Sequence, residues 1–574
     1  MKKDIDLLLI NSFAPRQRIV SDAALENSLA IIRTYLVDKG YQVDILDEQR
    51  VSGAEQGVPH WCLTLLRLFT NLQLIAYSKV KILALLLIIL AWPLQSLALF
   101  YRKSYMDQLI NNIANQVKTH CIPVVGIKVW NGDAYTWSIQ LADKIKQLAP
   151  ETTVIAGGPQ AKVYGEKVLD ATAFDLIIMG PGEEILASLL QLRKDSLSKQ
   201  HFLDSVHTQL SPNRLICTGN YDQSGKFKLN TFTVPNYTLA DLEDKILFHT
   251  LVDGLGCSWN QCNFCSHTRQ NMSYLPRPVN EIKAEMLAMS LQGISFFRFS
   301  SSETPIKHGT AIAQMILDNN ISVNYSMFIR AGKVTKETYD AYCLMIKSGL
   351  KAVFMGGETG HDAINATVMN KGITKKNIID TIQCIKLASA EVGIPCKIGL
   401  SMIYPTPVIE GVTLQDVFDA NISLIEDSLP DTVIINPPGV LPGTAWFDQA
   451  EKFGFKIADD FVVNLMHYEY SMYKPVHAWK KLDFSLNGKD MYSILAETGR
   501  MHKAVEALHI PIGISDEYLM MLTAIGQGSK TDLLLFKKHS LIDIMTGSSS
   551  YIKQIVEKIN HYSRMVAALN NNLH

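Results

Sequence analysis

A β/α rhythm is the strongest constraint on how this chain folds. Short apolar runs of strand length alternate with longer segments whose apolar residues recur at helical spacing, the pattern of a parallel sheet covered by helices. Over the first two hundred residues strands are predicted at 5–10, 42–46, Ile122 to Val129, Thr153 to Ala156 and Phe174 to Met179, with helices at 22–38, 134–148 and 183–193. They predict an α/β, Rossmann-like, doubly wound domain over 1–199. Residues 200–245, with Pro212, Gly219, Gly225 and Pro235 and no sustained period, read as a linker. A second series over 246–449 has predicted strands at 246–252, 294–299, 323–329, 351–355, 396–403 and 432–436. Six such units predict a partial (β/α)6 barrel of the TIM type, with functional groups at the carboxyl ends of its strands. The remainder, 450–574, is predicted as a mainly helical extension on the substrate side, where His467, Tyr468, Tyr470 and Tyr473 are candidate lining residues.

Charge and cysteine usage narrow the function classes. With 54 Lys+Arg against 55 Asp+Glu the net charge is −1, so no global pull toward nucleic acid exists and no nucleic-acid partner is expected. Nine cysteines in 574 residues are too sparse for a disulfide-stapled secreted protein. The opening residues, Met1 to Asn11, carry acidic side chains where a signal peptide needs an unbroken apolar run, and are read as a first strand in the cytoplasm.

The first domain is interrupted at about 55–120 by a hydrophobic helical insertion. Residues 82–101 carry no charge over 20 positions, which meets the length criterion for a membrane span. A lone span would put strands of one sheet on opposite sides of a bilayer, and a hairpin with 61–78 would carry Arg67, Asn71 and Gln73 into it. Spanning is therefore disfavoured. Pro93, Gln95, the flanking Arg102 and Lys103, and the rings of Trp61, Trp92 and Tyr101 suit a helix lying in the membrane interface or packing on another domain. Peripheral membrane contact through 61–103 is one expectation, and packing on the barrel the other.

The sharpest chemical signal is Gly254-Leu255-Gly256-Cys257-Ser258-Trp259-Asn260-Gln261-Cys262-Asn263-Phe264-Cys265. Three thiolates spaced C-x4-C-x2-C on a loop after a strand suit three irons of a [4Fe–4S] cluster, leaving the fourth iron open for a cofactor. The alternative is a structural Cys3His zinc site completed by His267. A structural zinc usually draws its last ligand from a distant element, whereas these four lie within eleven residues after the first barrel strand, where catalysis is expected. Cys62, Cys121, Cys217, Cys343, Cys384 and Cys396 are scattered and read as buried small apolar residues.

This loop resembles that of the radical S-adenosylmethionine (SAM) enzymes, whose hallmark is C-x3-C-x2-C with an aromatic before the last cysteine, here Phe264. The departure is one extra residue, Gln261. The resemblance implies that the cysteines hold the cluster, that SAM chelates its open iron, and that one-electron reduction yields a 5′-deoxyadenosyl radical. Phe328-Ile329-Arg330-Ala331 resembles the third-strand end at which an arginine pairs with the SAM carboxylate, making Arg330 the candidate. Met355-Gly356-Gly357-Glu358-Thr359-Gly360 followed by Asn370-Lys371-Gly372-Ile373-Thr374, and Pro438-Gly439-Val440-Leu441-Pro442-Gly443-Thr444, resemble segments of the branch that carries an N-terminal cobalamin domain. Thr359 replaces the usual serine there. Gly356, Gly357 and Glu358 are thereby candidate SAM contacts, and Ser300 to Glu303 are expected only to line the pocket.

Upstream, Ala156-Gly157-Gly158-Pro159-Gln160-Ala161 and Met179-Gly180-Pro181-Gly182-Glu183-Glu184 each follow a predicted strand and open a helix. Glycines there let a bulky cofactor approach the backbone. With Val125 to Trp130 these resemble the cobalamin-binding domain of that branch, so Gly157, Gly158, Pro159, Gly180, Gly182 and Glu183 are candidate contacts and Trp130 a candidate cover for the corrin. No D-x-H-x-x-G motif occurs, so no histidine is expected on cobalt. The dinucleotide fingerprint is also absent from Asn11 to Pro15, which argues against NAD.

Together these imply a cobalamin-dependent radical SAM enzyme, a methyltransferase on an unactivated carbon. It would use a [4Fe–4S] cluster, SAM and cobalamin, a flavodoxin- or ferredoxin-like electron donor and a small-molecule, lipid or peptide substrate. Cyclisation or rearrangement without methyl transfer, and a membrane-associated zinc-binding protein without radical catalysis, are the alternatives.

Overall fold

A computed structural model describes residues 5–13, 23–170, 173–219, 232–267, 274–468 and 476–570. The chain forms two compact units, one of 1–246, 462–475 and 539–554 and one of 247–461, 476–538 and 555–574.

The first unit is built on a six-stranded parallel sheet, β1 (Leu7–Asn11), β2 (Val43–Leu46), β3 (Val124–Lys128), β4 (Thr153–Gly157), β5 (Leu176–Met179) and β6 (Leu215–Cys217), in the order β2-β1-β3-β4-β5-β6. Every residue of β1, Leu-Leu-Leu-Ile-Asn, is buried, as a central parallel strand covered on both faces requires. The helices are α1 (Asn27–Asp38), α2 (His60–Lys79), α3 (Lys81–Thr119), α4 (Asp133–Leu148), α5 (Pro159–Tyr164), α6 (Glu183–Lys194), α7 (Lys199–Gln209) and α8 (Leu239–Leu242). Leu29 and Leu36 of α1, Leu186 and Leu189 of α6 and Phe202 and Val206 of α7 close one core against Leu7, Leu9 and Ile155. Residues 200–245 thus differ from the predicted linker. Most of α7 and the strand β6 fall within them and extend the sheet, because Phe202, Val206 and Ile216 supply apolar side chains to that core. Gly225 lies outside the described residues, as do the first residue of the helix predicted at 22–38 and Ala14 and Pro15 of the first turn.

The predicted insertion is the pair α2 and α3. Val58, Cys62, Leu63, Leu66 and Ala98 form a small core between them. Among the described residues no helix is long and apolar enough to cross a membrane.

The second unit holds a parallel sheet of β7 (Phe248–Leu251), β10 (Phe296–Phe299), β11 (Asn324–Ile329), β12 (Leu350–Glu358), β13 (Lys397–Ile403) and β14 (Thr432–Asn436), arranged side by side in sequence order. A two-stranded antiparallel pair, β8 (Gly254–Leu255) and β9 (Leu275–Pro276), flanks the cysteine loop. The connecting helices are α9 (Val279–Ser290), α10 (Ile306–Asp318), α11 (Lys336–Lys347), α12 (Asp362–Thr367), α13 (Lys375–Val392) and α14 (Leu414–Ser428). Thr374 and Thr413 start α13 and α14 as capping boxes, and Gly393 ends α13 in the left-handed conformation at φ 71°. The helix Asp516–Ala524 is almost wholly buried and packs across β11, β12 and β13.

The tail is less uniform than predicted. Strands Phe455–Ile457, Phe484–Leu486 and Lys489–Asp490 form an antiparallel sheet, and segments 462–475 and 539–554 group with the first unit. His467 packs edge-on against Tyr135 at 4.9 Å and its Nδ1 lies 3.1 Å from Thr136 Oγ1, both at the start of α4. Tyr468 is buried, while Tyr470 and Tyr473 lie outside the described residues.

One buried ionic group anchors the root of the cysteine loop. Glu285 on α9 lies 2.6 Å from His249 Nε2 on β7 and pairs with Arg277, whose Nη1 also donates to the carbonyl of Val252 at 3.2 Å. Burial works to raise the Glu285 carboxyl, but His249 and Arg277 outweigh it and hold the group below the ordinary carboxylate range. Replacing Glu285 by Gln removes the buried carboxylate from Arg277, whose remaining ion pair is with the more exposed Glu281. We expect a loss of about 3 kcal/mol in urea unfolding. Since the folded value is depressed, this contribution is complete above the ordinary carboxylate range and is lost as pH falls through the folded value. The acid limb of the wild-type stability curve should be steeper than that of E285Q.

Close packing makes a second prediction. A Cβ on Gly360, just after β12, would lie 2.2 Å from the Ala420 carbonyl oxygen of α14, whereas one on Gly332 would meet nothing within 4 Å. Gly360→Ala should cost about 1–3 kcal/mol, and Gly332→Ala should stay within about 0.5 kcal/mol of wild type, both read by thermal denaturation.

Candidate functional site

The carboxyl ends of the barrel strands converge on one cavity. Cys257, Cys262 and Cys265 border it together with Phe264, Glu303, Arg330, Gly356, Glu358 and Lys371. Cys262 is buried and the other two thiols are half-buried. Burial pushes the Cys262 thiol up to about 12 and raises Cys265 as well, against the nearby Lys371 ammonium. Thiols so placed favour the neutral form, and a metal centre would supply the positive charge that stabilises their thiolates.

The loop that carries the cysteines has little regular structure, and its polar groups are satisfied by the segment after α12. Asn263 N donates to Met369 O at 3.0 Å and its side-chain amide to Val368 O at 3.1 Å. Trp259 Nε1 donates to Asn370 O at 2.6 Å, and the Asn370 amide donates to the carbonyl of Gln261 at 2.8 Å. Gln261, between the first two cysteines, is therefore held by Asn370. Gly372, at φ 65°, leaves room for the Trp259 indole, since a Cβ there would lie 2.3 Å from that ring. Trp446 closes the arrangement with its amide on Asn263 O and its ring 5.7 Å from that of Phe264.

Charged side chains surround the thiols. Arg330 extends from the end of β11, stacks its guanidinium 4.5 Å over the Trp259 ring and donates to the Lys371 carbonyl. Glu358, at the end of β12 with φ 59°, accepts from Lys371 Nζ at 2.8 Å. A Cβ on Gly356 would stand 2.2 Å from Glu358 Oε1 and 2.8 Å from Lys371 Nζ, so a glycine there admits the ion pair. Gly357 instead packs toward Leu400, and Thr359 Oγ1 donates to Asn421 at 2.8 Å.

Sequence reasoning gave no role to Lys371, and to Glu303 none beyond lining. Glu303 accepts from Ser258 Oγ at 2.7 Å and lies 3.4 Å from Cys257 Sγ. Asp253, wholly buried after β7, was also missed. It accepts from Ser301 N and Oγ and Thr304 Oγ1 at 3.0, 2.8 and 2.8 Å, tying the loop after β10 to the root of the cysteine loop. An acid two residues beyond a strand end and four before a cysteine was the available signal. His267 lines the same cavity and hydrogen-bonds Ser302 through Nδ1. Among the described residues no group of three or more His, Cys, Asp or Glu has the spacing of a single-ion site. Of the other cysteines, Cys62, Cys343, Cys384 and Cys396 are buried as expected, but Cys121 and Cys217 are exposed, Cys121 just after α3 and Cys217 at the end of the edge strand β6.

The first unit has its own cavity at the carboxyl ends of β1, β3, β4 and β5. Order β2-β1-β3 makes the β1/β3 boundary the topological switch point, where α/β sheets bind ligands. Gly126, Lys128, Gly157, Gly158, Gly180, Gly182 and Glu183 line it, with Leu29, Ile32 and Leu186 as apolar wall. At Gly158, φ 100°, a Cβ would lie 2.9 Å from Lys128 Cγ, and at Gly180, φ 126°, it would lie 2.2 Å from Thr218 O. Lys128 Nζ sits 2.7 Å from both carboxylate oxygens of Glu26 and 5.2 Å from the Trp130 ring. Trp130 is 37% exposed and stands outside the cavity lining, as does Pro159, which opens α5.

Residues 103–190 match the B12-binding domain family. No curated protein matches the chain. Among solved structures, the radical S-adenosylmethionine methyltransferase TsrM from Kitasatospora setae, with cobalamin and a [4Fe–4S] cluster bound, is similar at 14% identity and TM-score 0.59, over 93% of this chain and 99% of that one. The same enzyme with tryptophan substrate and the SAM analog aza-SAM gives TM-score 0.57 at 14% identity over the same shares. The cobalamin-dependent S-adenosylmethionine radical enzyme OxsB with aqua-cobalamin matches at 14% identity and TM-score 0.50, over 99% of this chain and 81% of that one. Residues 103–190 thus match the B12-binding domain family, within a chain that shares the fold of TsrM and OxsB.

Proposed function

We propose that the protein is a cobalamin-dependent radical SAM enzyme that transfers a methyl group to an unactivated carbon of a small molecule. The observation that carries this reading is the grouping of Cys257, Cys262 and Cys265 with Glu303, Arg330, Glu358 and Lys371 around one cavity, in a chain that also holds the B12-binding domain. When bound, a [4Fe–4S] cluster supplies an electron to SAM, and cobalamin carries the methyl group. The residues fit both groups. Three thiols with Lys371 and Arg330 beside them suit an anionic thiolate-ligated centre, and the glycines of the first cavity leave its backbone open to a bulky cofactor.

The chain's own residues divide the work. Cys257, Cys262 and Cys265 bind iron. Arg330 meets the SAM carboxylate with a planar two-pronged donor set, its guanidinium already placed 4.5 Å over the Trp259 ring. Glu358, fixed by Lys371, accepts from the SAM amino group or ribose, and Phe264 shields the centre from water. In the first unit Gly157, Gly158, Gly180 and Gly182 admit cobalamin and its nucleotide tail. Lys128, paired with Glu26, borders the same cavity. An external flavodoxin- or ferredoxin-like protein supplies electrons. None of the nine cysteines is in a disulfide, in keeping with work in the cytoplasm.

Anaerobic reconstitution with iron, sulfide and hydroxocobalamin tests the assignment. About four irons and four sulfides per chain are expected, falling to background in Cys257→Ser, Cys262→Ser or Cys265→Ser. One zinc per chain with no sulfide would overturn it. After reduction with labelled SAM, both S-adenosylhomocysteine and 5′-deoxyadenosine support radical methyl transfer, whereas deoxyadenosine alone moves the chemistry to cyclisation or rearrangement. Gly180→Ala, with its Cβ against Thr218 O, should weaken hydroxocobalamin binding by roughly tenfold or more, read by absorbance titration, with the iron count unchanged.

A further inference from the structure

The hairpin of α2 and α3 presents a surface that neither cavity uses. Cys62, Leu63, Leu66, Thr70 and Ala76 of α2 are buried. On its opposite side Trp61, Leu65, Leu68, Leu72 and Ile75, spaced by four and three residues in turn, form one stripe that is 37–57% exposed. On α3, Ala91 and Ala98 are buried, while Ile82, Leu86, Ile89, Leu90 and Trp92 are 51–75% exposed. An ordinary surface helix has the reverse arrangement, with its charges outward. Here Arg67, the one charged residue of α2 before its last position, turns away from the stripe and pairs with Asp543 at 3.0 Å.

Charge identifies what covers this surface. From Gln56 to Met106 the sequence holds no acidic residue, while Lys79 and Lys81 flank the hairpin turn and the exposed Lys103 follows the apolar run; Arg102 beside it is turned to the Gly547 carbonyl at 3.1 Å. A second copy seated on the stripe would set these cations against their own kind. An anionic lipid surface complements them, and it accepts apolar side chains from both helices at once. The indoles of Trp61 and Trp92, 51% and 69% exposed, are the rings that prefer the headgroup boundary. We propose that the hairpin docks the protein on an anionic membrane surface, with its apolar stripes at the acyl boundary and the cations at its two ends among the lipid headgroups. This inference stands apart from the chemistry proposed above, because it is read without iron, SAM or cobalamin.

The test is flotation of the full chain with phosphatidylglycerol-containing vesicles and with pure phosphatidylcholine vesicles, at low and high salt. Binding should rise with phosphatidylglycerol and fall with salt. Lys79→Gln with Lys81→Gln should weaken it by roughly twentyfold. The triple variant Leu68→Ser, Leu72→Ser, Ile75→Ser should abolish binding while circular dichroism and melting stay as in wild type. If that variant does not fold, Trp92→Ser, a single change on an exposed side chain, should weaken binding on its own. Absence of wild-type binding to phosphatidylglycerol vesicles overturns the proposal. So does a dimer in light scattering that the serine substitutions convert to monomer without any vesicle binding, since the stripe is then a contact between copies.

Discussion

Two irregular stretches of backbone, 256–265 and 368–372, satisfy each other's polar groups, and the cysteine cavity depends on that exchange. A loop carrying three thiols cannot use a sheet ladder or a helix to pair its amides and carbonyls. Unpaired, each buried polar group would cost about 1–3 kcal/mol. Asn263, Trp259 and Asn370 make the pairs instead, and each bond crosses from one stretch to the other. The same crossing delivers Lys371 to Glu358, so the segment that braces the loop also sets its electrostatics. Asn370 also binds the Gln261 carbonyl, so the middle of the loop is braced from the same stretch.

Periodicity made most of the architecture legible. The six predicted barrel strands are the six observed ones, since a parallel strand buried on both faces is a continuous apolar run that turn residues bound on either side. Residues 200–245 were not legible, because β6 is a three-residue edge strand with no run long enough to register, and α7 has polar residues between its few apolar ones. The division of 450–574 between two units was invisible for a different reason. Nothing in a local pattern tells a helix which core it will join.

The cavity residues split along the same line. Cys257, Cys262 and Cys265 were candidates through their spacing, and Arg330 and Glu358 through resemblance and order relative to strand ends; all five border one cavity. Lys371 and Glu303 border it too, yet Lys371 lies 41 residues beyond Arg330 and is brought back only by the turn after α12. Asp253 acts through Ser301 and Thr304, a long-range triad whose members carry no signature singly. In the first unit the glycine turns were read as openings for a cofactor, and Gly157, Gly158, Gly180 and Gly182 line one cavity. Trp130 and Pro159 were adjacent in sequence but are not in that lining, because neighbours along a strand end or helix start point different ways.

The place of the hairpin follows from sheet topology. β2 flanks β1 on the side away from β3, so the chain must cross the sheet before β3 begins, and a helix is the usual way to do so. The last part of α3 is that helix, with Ile110, Ile113, Ala114 and Val117 buried and α4 packed beside it. α2 and the first half of α3 lengthen the crossover without adding a strand or altering the register of β1 with β3. An α/β sheet therefore tolerates a long apolar hairpin there, since the core needs only the final turns of the helix. The rest is free to carry a surface whose composition the fold does not dictate. Thirteen residues separate the end of β2 from α2, and only four separate α3 from β3, so the rigid end of the hairpin is the one that continues into the sheet.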